Sequence, residues 1–407
     1  MGMDSERTPS GLAHVATVSF LASRTTPSGG FWLALAGGVA LARAAARRGL
    51  RDGYGASSAA MLESVAIMGP IRFGVPLTQA ITAPLLGRLE ARATSFVRQF
   101  LVCAALRILH NTATTAFAIW VILGGLDAYA GTYDSIFDWL PFVPAGTAGA
   151  LALTVIALLA WAIFATTVQV LVYRRGLRRW PAPADEPEQR EATELRKVEP
   201  RRRFDPRAVT VAGIVAFAVL LASTDWTVLA AVAAWLGVAW AVSRADPEPI
   251  PTGLVLAAIL AGSALLFGVV GGVGTDVALR RAARVALLVM VATWLRSAAG
   301  SAGMRLVFSQ ALRRLRRIPS MHEAGRILDG LASERRLLEA GTALAASLGP
   351  VEKRPIPILD SVLGWVAAEA RRFRAAPSPA PRPLSVRAYD AGLVALAAAP
   401  AALLFAG

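Results

Sequence analysis

Four side chains capable of ionic or acid–base chemistry interrupt the apolar stretches of this sequence: Glu63, Arg72, Arg107 and His110. Glu63 and Arg72 lie nine residues apart in SSAAMLESVAIMGPIRFGVPLTQAITAPLLGR, residues 57–88. An arginine at mid-membrane costs about 2.5–3.5 kcal/mol on the insertion scale. Arg72 therefore needs a partner, and Glu63 could face it across a hairpin turning near Pro70–Arg72. Such a pair suits a substrate or coupling-ion site, or a purely structural ion pair. Arg107 and His110 are one helical turn apart in LRILHNTATTAF, followed by Asn111. No serine–histidine–aspartate order, metal-ligand spacing or phosphate-cradling glycine loop accompanies them. Catalysis is therefore not expected, and His110 reads as an interhelical hydrogen-bonding residue. His14, His110 and His322 are scattered and Cys103 is the single cysteine, so neither a metal nor a cofactor is expected.

The elements that position these groups are apolar helices. The chain has 407 residues, 55% hydrophobic and 17% charged, with mean hydropathy +0.53. A soluble chain carries about a quarter charged residues. Apolar runs at about 31–46, 96–123, 150–173, 209–223, 228–242, 253–274, 285–299 and 390–406 approach the length that crosses a bilayer. The expectation is an all-α polytopic membrane protein with about eight to ten membrane segments in two blocks. Arg51 and Arg88 flank the 57–88 stretch, and Pro70, Pro76 and Pro84 break it, so it reads as a re-entrant hairpin or a pair of half-helices turning near Pro70–Arg72.

Net charge is +15. Arginines cluster beside the apolar runs, at 43–51, 88–98 and 174–179, whereas Asp127, Asp134 and Asp138 lie on the opposite side. The positive-inside rule accounts for this pattern without nucleic-acid binding, and it makes 174–207 cytoplasmic. The N-terminus lacks a basic n-region, so no cleaved signal peptide is expected. The proline-containing, mixed-charge stretch at 181–205 reads as a solvated linker. It separates an N-terminal membrane block, 1–180, from a C-terminal one, 206–407.

The C-terminal block reads as four spans, a basic insert and one last span, with 305–388 cytoplasmic. Twelve Lys/Arg oppose seven acids between Gln310 and Arg374. Two amphipathic helices are expected there, over about 323–348 and 358–373, the second ended by Pro377, Pro379, Pro381 and Pro383. Their stripes suit either the anionic lipid surface or a partner protein.

This layout resembles the transmembrane (T) component of energy-coupling factor importers, the CbiQ-like family, over about 205–407. Asp205-Pro206-Arg207 stands where that family opens its first span. EARRF, Glu369–Phe373, is similar to its second Ala-Arg-Gly coupling motif, and Pro319, His322 and Glu323 are similar to the start of its first coupling helix. Arg372 replaces the motif's glycine, and Arg335 and Arg336 are loose substitutes for the first motif. The resemblance implies a non-enzymatic plasma (inner) membrane subunit for vitamin or transition-metal uptake. Its partners would be ABC ATPase subunits, contacted through Ala370, Arg371, Arg372, Arg335 and Arg336, and a substrate-binding (S) membrane subunit. Ala36, Ala40 and Ala44 have the Ala-x-x-x-Ala spacing of S components, which raises a fused S-like N-terminal block. The alternative is a structural or regulatory membrane protein whose basic helices bind lipid.

Overall fold

A computed structural model describes residues 9–25, 30–69, 74–123, 125–137, 144–180, 204–243, 245–348, 354–373 and 387–404. Every regular element among them is helical. The helices are α1 (Pro9–Thr25), α2 (Gly30–Arg48), α3 (Leu50–Met68), α4 (Gly74–Ala91) and α5 (Phe96–Phe117), which continues into a π-helical turn at Ala118–Ile122. There follow α6 (Leu126–Phe137), α7 (Gly146–Arg178), α8 (Pro206–Ala222), α9 (Trp226–Val242), α10 (Ile250–Val270) and α11 (Thr275–Arg314). The last four are α12 (Pro319–Asp329), α13 (Glu334–Ser347), α14 (Pro355–Arg372) and α15 (Ala388–Ala402).

Four stretches are long and apolar enough to cross a membrane: Phe96–Trp120, Gly146–Arg178, Ile250–Val270 and Thr275–Arg314. Helices α8, α9 and α15 are apolar but shorter. The chain is thus an all-helical protein of membrane character.

Two compact units form, and they do not follow the two halves of the sequence. The first comprises Met1–Arg107, Phe164–Arg201 and Ser301–Arg382; the second comprises Ile108–Ile163, Arg202–Gly300 and Pro383–Gly407. The chain leaves the second unit at Gly300, whose φ of 62° and ψ of 167° break α11. Only glycine adopts that backbone at little cost.

In the first unit, α1 and α2 are buried along almost their whole length. Small residues make that possible. Gly87 of α4 faces the Ala42 carbonyl of α2, and Gly53 of α3 faces Ala45. A methyl group at either position would collide with backbone.

The amphipathic helices complete this core. The chain forms three of them, because the expected 323–348 helix breaks after Gly330 into α12 and α13. Their apolar stripes do not wait for lipid or a partner. Ala324, Ile327 and Leu328 of α12, Leu337 and Leu344 of α13, and Leu359, Val362, Leu363 and Val366 of α14 are all buried. Helix α12 packs on α3, α13 on α1, and α14 on α1 and α2.

The 57–88 stretch falls on a pair of helices separated around Pro70–Arg72, one of the two arrangements expected. It forms two full helices, α3 and α4, with Pro84 accommodated inside α4. Arg72 lies outside the described residues, as do the linker at 181–203 and the proline run at 377–383.

The second unit has the opposite surface. Most of the exposed large hydrophobic side chains belong to it, including Trp120, Ile156, Trp161, Ile214, Val255, Ile259 and Leu266. In water such a surface would be a liability, and against lipid tails it is stable. Its interior contacts use close helix approach, with Gly253 of α10 against Thr293 and Gly213 of α8 against Leu295 of α11.

Candidate functional site

The residues singled out in the sequence do not converge on one centre. Glu63 is fully buried and pairs with Arg305, which donates from Nε to Oε2 at 2.7 Å and from Nη2 to Oε1. Arg305 also donates to the carbonyls of Leu331 (3.2 Å) and Ala332 (2.7 Å), the residues joining α12 to α13. The pair therefore links α3, α11 and the α12–α13 turn within the first unit. A carboxylate so engaged is a structural anchor.

Arg107 enters a different buried network of the first unit. Its Nε donates to Thr166 Oγ1 at 3.2 Å and its Nη2 to Gln169 Oε1 at 2.5 Å. Gln169 Nε2 donates to Gln79 Oε1 (2.9 Å) and Thr82 Oγ1 (2.6 Å), and the Tyr173 hydroxyl donates to Gln79 Oε1 (2.5 Å). Each partner is neutral, so this arginine is held by amide and hydroxyl dipoles. Gln79, Thr82, Thr166, Gln169 and Tyr173 were not legible as a group, since none is charged and they come from two distant segments. His110 belongs to the second unit and is half-buried.

Among the described residues, the second unit carries a cleft. It measures about 480 Å³ and is lined by α5, α6 and α7. Asn111, Thr114 and Thr115 come from α5; Tyr129, Tyr133 and Phe137 from α6; Leu153, Thr154, Ala157, Leu158 and Trp161 from α7. No acidic or basic side chain lines it. Its walls are fixed locally. The Tyr129 hydroxyl hydrogen-bonds Thr154 Oγ1, Tyr133 donates to the Pro144 carbonyl at 3.1 Å, and Asp134 Oδ1 accepts from Gly146 N at 2.7 Å at the start of α7. The π-helical turn at Ala118–Ile122 directly follows the α5 lining residues. Single π turns inside helices are frequent at functional sites.

The expected partner-contacting residues divide by exposure. Arg335 is exposed and pairs with Glu339 at 2.6 Å, Arg336 and Arg371 are half-buried, and Arg372 is exposed. Ala370 is fully buried inside the first unit and presents no surface. The motif's neighbours are also committed inward. Glu369 lies 3.6 Å from His14 Nε2, and Phe373 stacks on the His14 ring at 4.2 Å. Asp205 caps α8 by accepting from Arg207 N at 2.8 Å, with Pro206 at the first helical position. Glu323 packs over Gly55 of α3. The fragments that resemble the T component thus have local structural roles in this chain.

No metal-holding cluster of His, Cys, Asp or Glu occurs among the described residues. Neither a family model, nor a curated protein, nor a solved structure matches the chain.

Proposed function

We propose that the chain is a membrane subunit of a solute importer, with the neutral cleft of the second unit as its solute site. The observation that carries this reading is the cleft itself. It places hydroxyl and amide groups among aromatic rings between two helices of membrane length, α5 and α7, and the shorter α6, with no charge in its lining. A small uncharged or amphipathic solute matches that chemistry, because buried polar groups must be answered by hydrogen bonds and the rings supply apolar contact. The cleft lies wholly within residues 111–161, in the N-terminal half that sequence reading left as a possible S-like part. ATP hydrolysis would reside in partner ABC ATPases of the energy-coupling factor type, since the chain carries no nucleotide-binding motif. Their docking surface would be the outer face of α13 with Arg335, and the exposed end of α14 at Arg372. Ala370 is excluded from it by burial. In this reading eight or more segments serve as membrane spans.

The test purifies the full chain from its own membranes beside Arg335→Glu and Arg372→Glu variants, and identifies bound proteins and extracted small molecules by mass spectrometry. ABC ATPases with the native chain and their loss from the variants support the importer. A small molecule lost on Thr154→Leu supports the cleft. Absence of ATPases from every sample sinks the importer reading.

A second reading, a structural or regulatory protein on the lipid surface, is favoured by the turn between α11 and α12. There Leu315 and Ile318 are exposed among the exposed Arg314, Arg316 and Arg317. Apolar tips amid arginines suit an anionic membrane face. Binding to anionic vesicles that is lost on Leu315→Glu, with no ATPase recovered, would favour it.

A further inference from the structure

We propose that Arg284, with Arg281 beside it, forms an oxyanion-binding site inside the second unit. Arg284 is 5% exposed, and its Nε and Nη2 have no hydrogen-bond partner among the described residues. It stands on α11 about 14 Å from the helix start, at 1.5 Å per residue, at the edge of the apolar run 285–299.

Among the described residues, the helices facing it offer no anion. Arg280, Arg284 and Leu295 share one face of α11 by helical spacing. That face meets α8 and α9, since Arg280 reaches Asp225 just before α9 (3.9 Å) and Leu295 touches Gly213 of α8. The buried side chains of α8 and α9 are apolar, from Val209 through Leu220 and from Val228 through Ala239. Their only polar atom is the indole nitrogen of Trp235, which donates and cannot accept.

The two nearby carboxylates are already engaged. Asp276 accepts from Arg280 (2.6 Å) and from Trp226 Nε1 (2.9 Å), and Asp225 accepts from Ser223 (3.1 Å). Arg281, one turn before Arg284 and half-exposed, adds a second positive charge. On the topology expected from the sequence this end of α11 faces away from the cytoplasm, where arginine is disfavoured.

A guanidinium buried without an acceptor is strongly unfavourable. A bound oxyanion removes that penalty, because its oxygens match the planar donors of arginine in geometry and in charge. The ligand class is therefore a phosphate or carboxylate group, supplied either by a phospholipid headgroup or by a soluble anion. The site is separate from the neutral cleft, and its existence does not depend on the importer reading.

The experiment follows thermal unfolding of the full chain in lipid-stripped detergent micelles. Inorganic phosphate and a short-chain phosphatidylglycerol are titrated separately, with the corresponding diacylglycerol as a neutral control. The native chain is expected to gain several degrees with one of the anions and nothing with the diacylglycerol. Arg281→Gln, at a half-exposed position that tolerates the change, should bind at least tenfold more weakly, and Arg284→Gln should lose the shift. A shift with phosphatidylglycerol alone assigns a headgroup, and a shift with phosphate assigns a soluble anion. If neither anion shifts the native chain, or if Arg281→Gln and Arg284→Gln respond as the native chain does, the proposal is overturned.

Discussion

Glu63 and Arg305, 242 residues apart in sequence, form a two-point ion pair in which the carboxylate is fully buried. The same guanidinium holds the carbonyls between α12 and α13. Removing one partner leaves the other as an uncompensated buried charge, which costs about 3–5 kcal/mol. Glu63→Gln and Arg305→Met should each lower the unfolding temperature of the detergent-solubilised chain sharply. The double variant Glu63→Met with Arg305→Met should recover most of the loss. Additive losses in that double variant would show that the two residues act separately.

The neutral network around Arg107 makes a different demand. Gln169 accepts from Arg107 and donates to Gln79 and Thr82, so it joins the arginine to α4. Gln169→Leu orphans a charged donor at a cost of about 3 kcal/mol, whereas Gln169→Glu keeps an acceptor there and should be milder. Chemical denaturation of both variants distinguishes the outcomes, and equal losses would mean that packing alone matters at that position.

Close helix approach in the first unit depends on glycine at particular positions. A methyl group at Gly87 would meet the Ala42 carbonyl, and one at Gly38 would meet the Tyr173 hydroxyl. Gly87→Ala should cost about 1–3 kcal/mol or more, as overpacking does. Gly38→Ala should additionally displace Tyr173 from Gln79, which ultraviolet absorbance of the tyrosines would report. An unchanged unfolding temperature for Gly87→Ala would contradict the packing described.

Acidification should weaken the hold of α14 on α1. The His14 imidazole, 3.6 Å away, keeps the Glu369 carboxyl below its ordinary value of 4.5. The folded chain then binds fewer protons than the unfolded chain, so this contribution is complete above about pH 4.5 and declines as pH falls through the lowered value. The stability difference between the native chain and Glu369→Gln should shrink as pH is taken from about 6 to about 3. A difference independent of pH would sink the assignment.

Much of the element order was legible in the sequence. Apolar runs place α8, α9, α10 and α15 to within a few residues and the middle of α11, because membrane-like helices are read from composition alone. The amphipathic stripes of α12 to α14 were legible too, but their destination was not. A stripe records that a face is buried, and only the three-dimensional path shows that α1, α2 and α3 bury it. The break after Gly330 was hidden because the leucine spacing continues through it. For Glu63, the nearest arginine in sequence drew attention, while Arg305 reaches it only through the fold. The cleft was least visible, since its threonines and tyrosines carry no charge and come from three helices. Asp205-Pro206 also forms a helix cap and Glu369–Phe373 also clasps His14, local roles that the resemblance did not announce.

The covering of α1–α3 by α12–α14 has a consequence for the biosynthesis of the chain. Helices α2 and α14 are separated by about 300 residues. At about 5–20 residues per second of synthesis, the N-terminal helices wait on the order of 15–60 s before their last cover emerges from the ribosome. During that interval the faces that α12–α14 cover have no native neighbour. Nascent chains halted before α12 should therefore be captured by holdase chaperones and cut by proteases, and chains released after α14 should escape both.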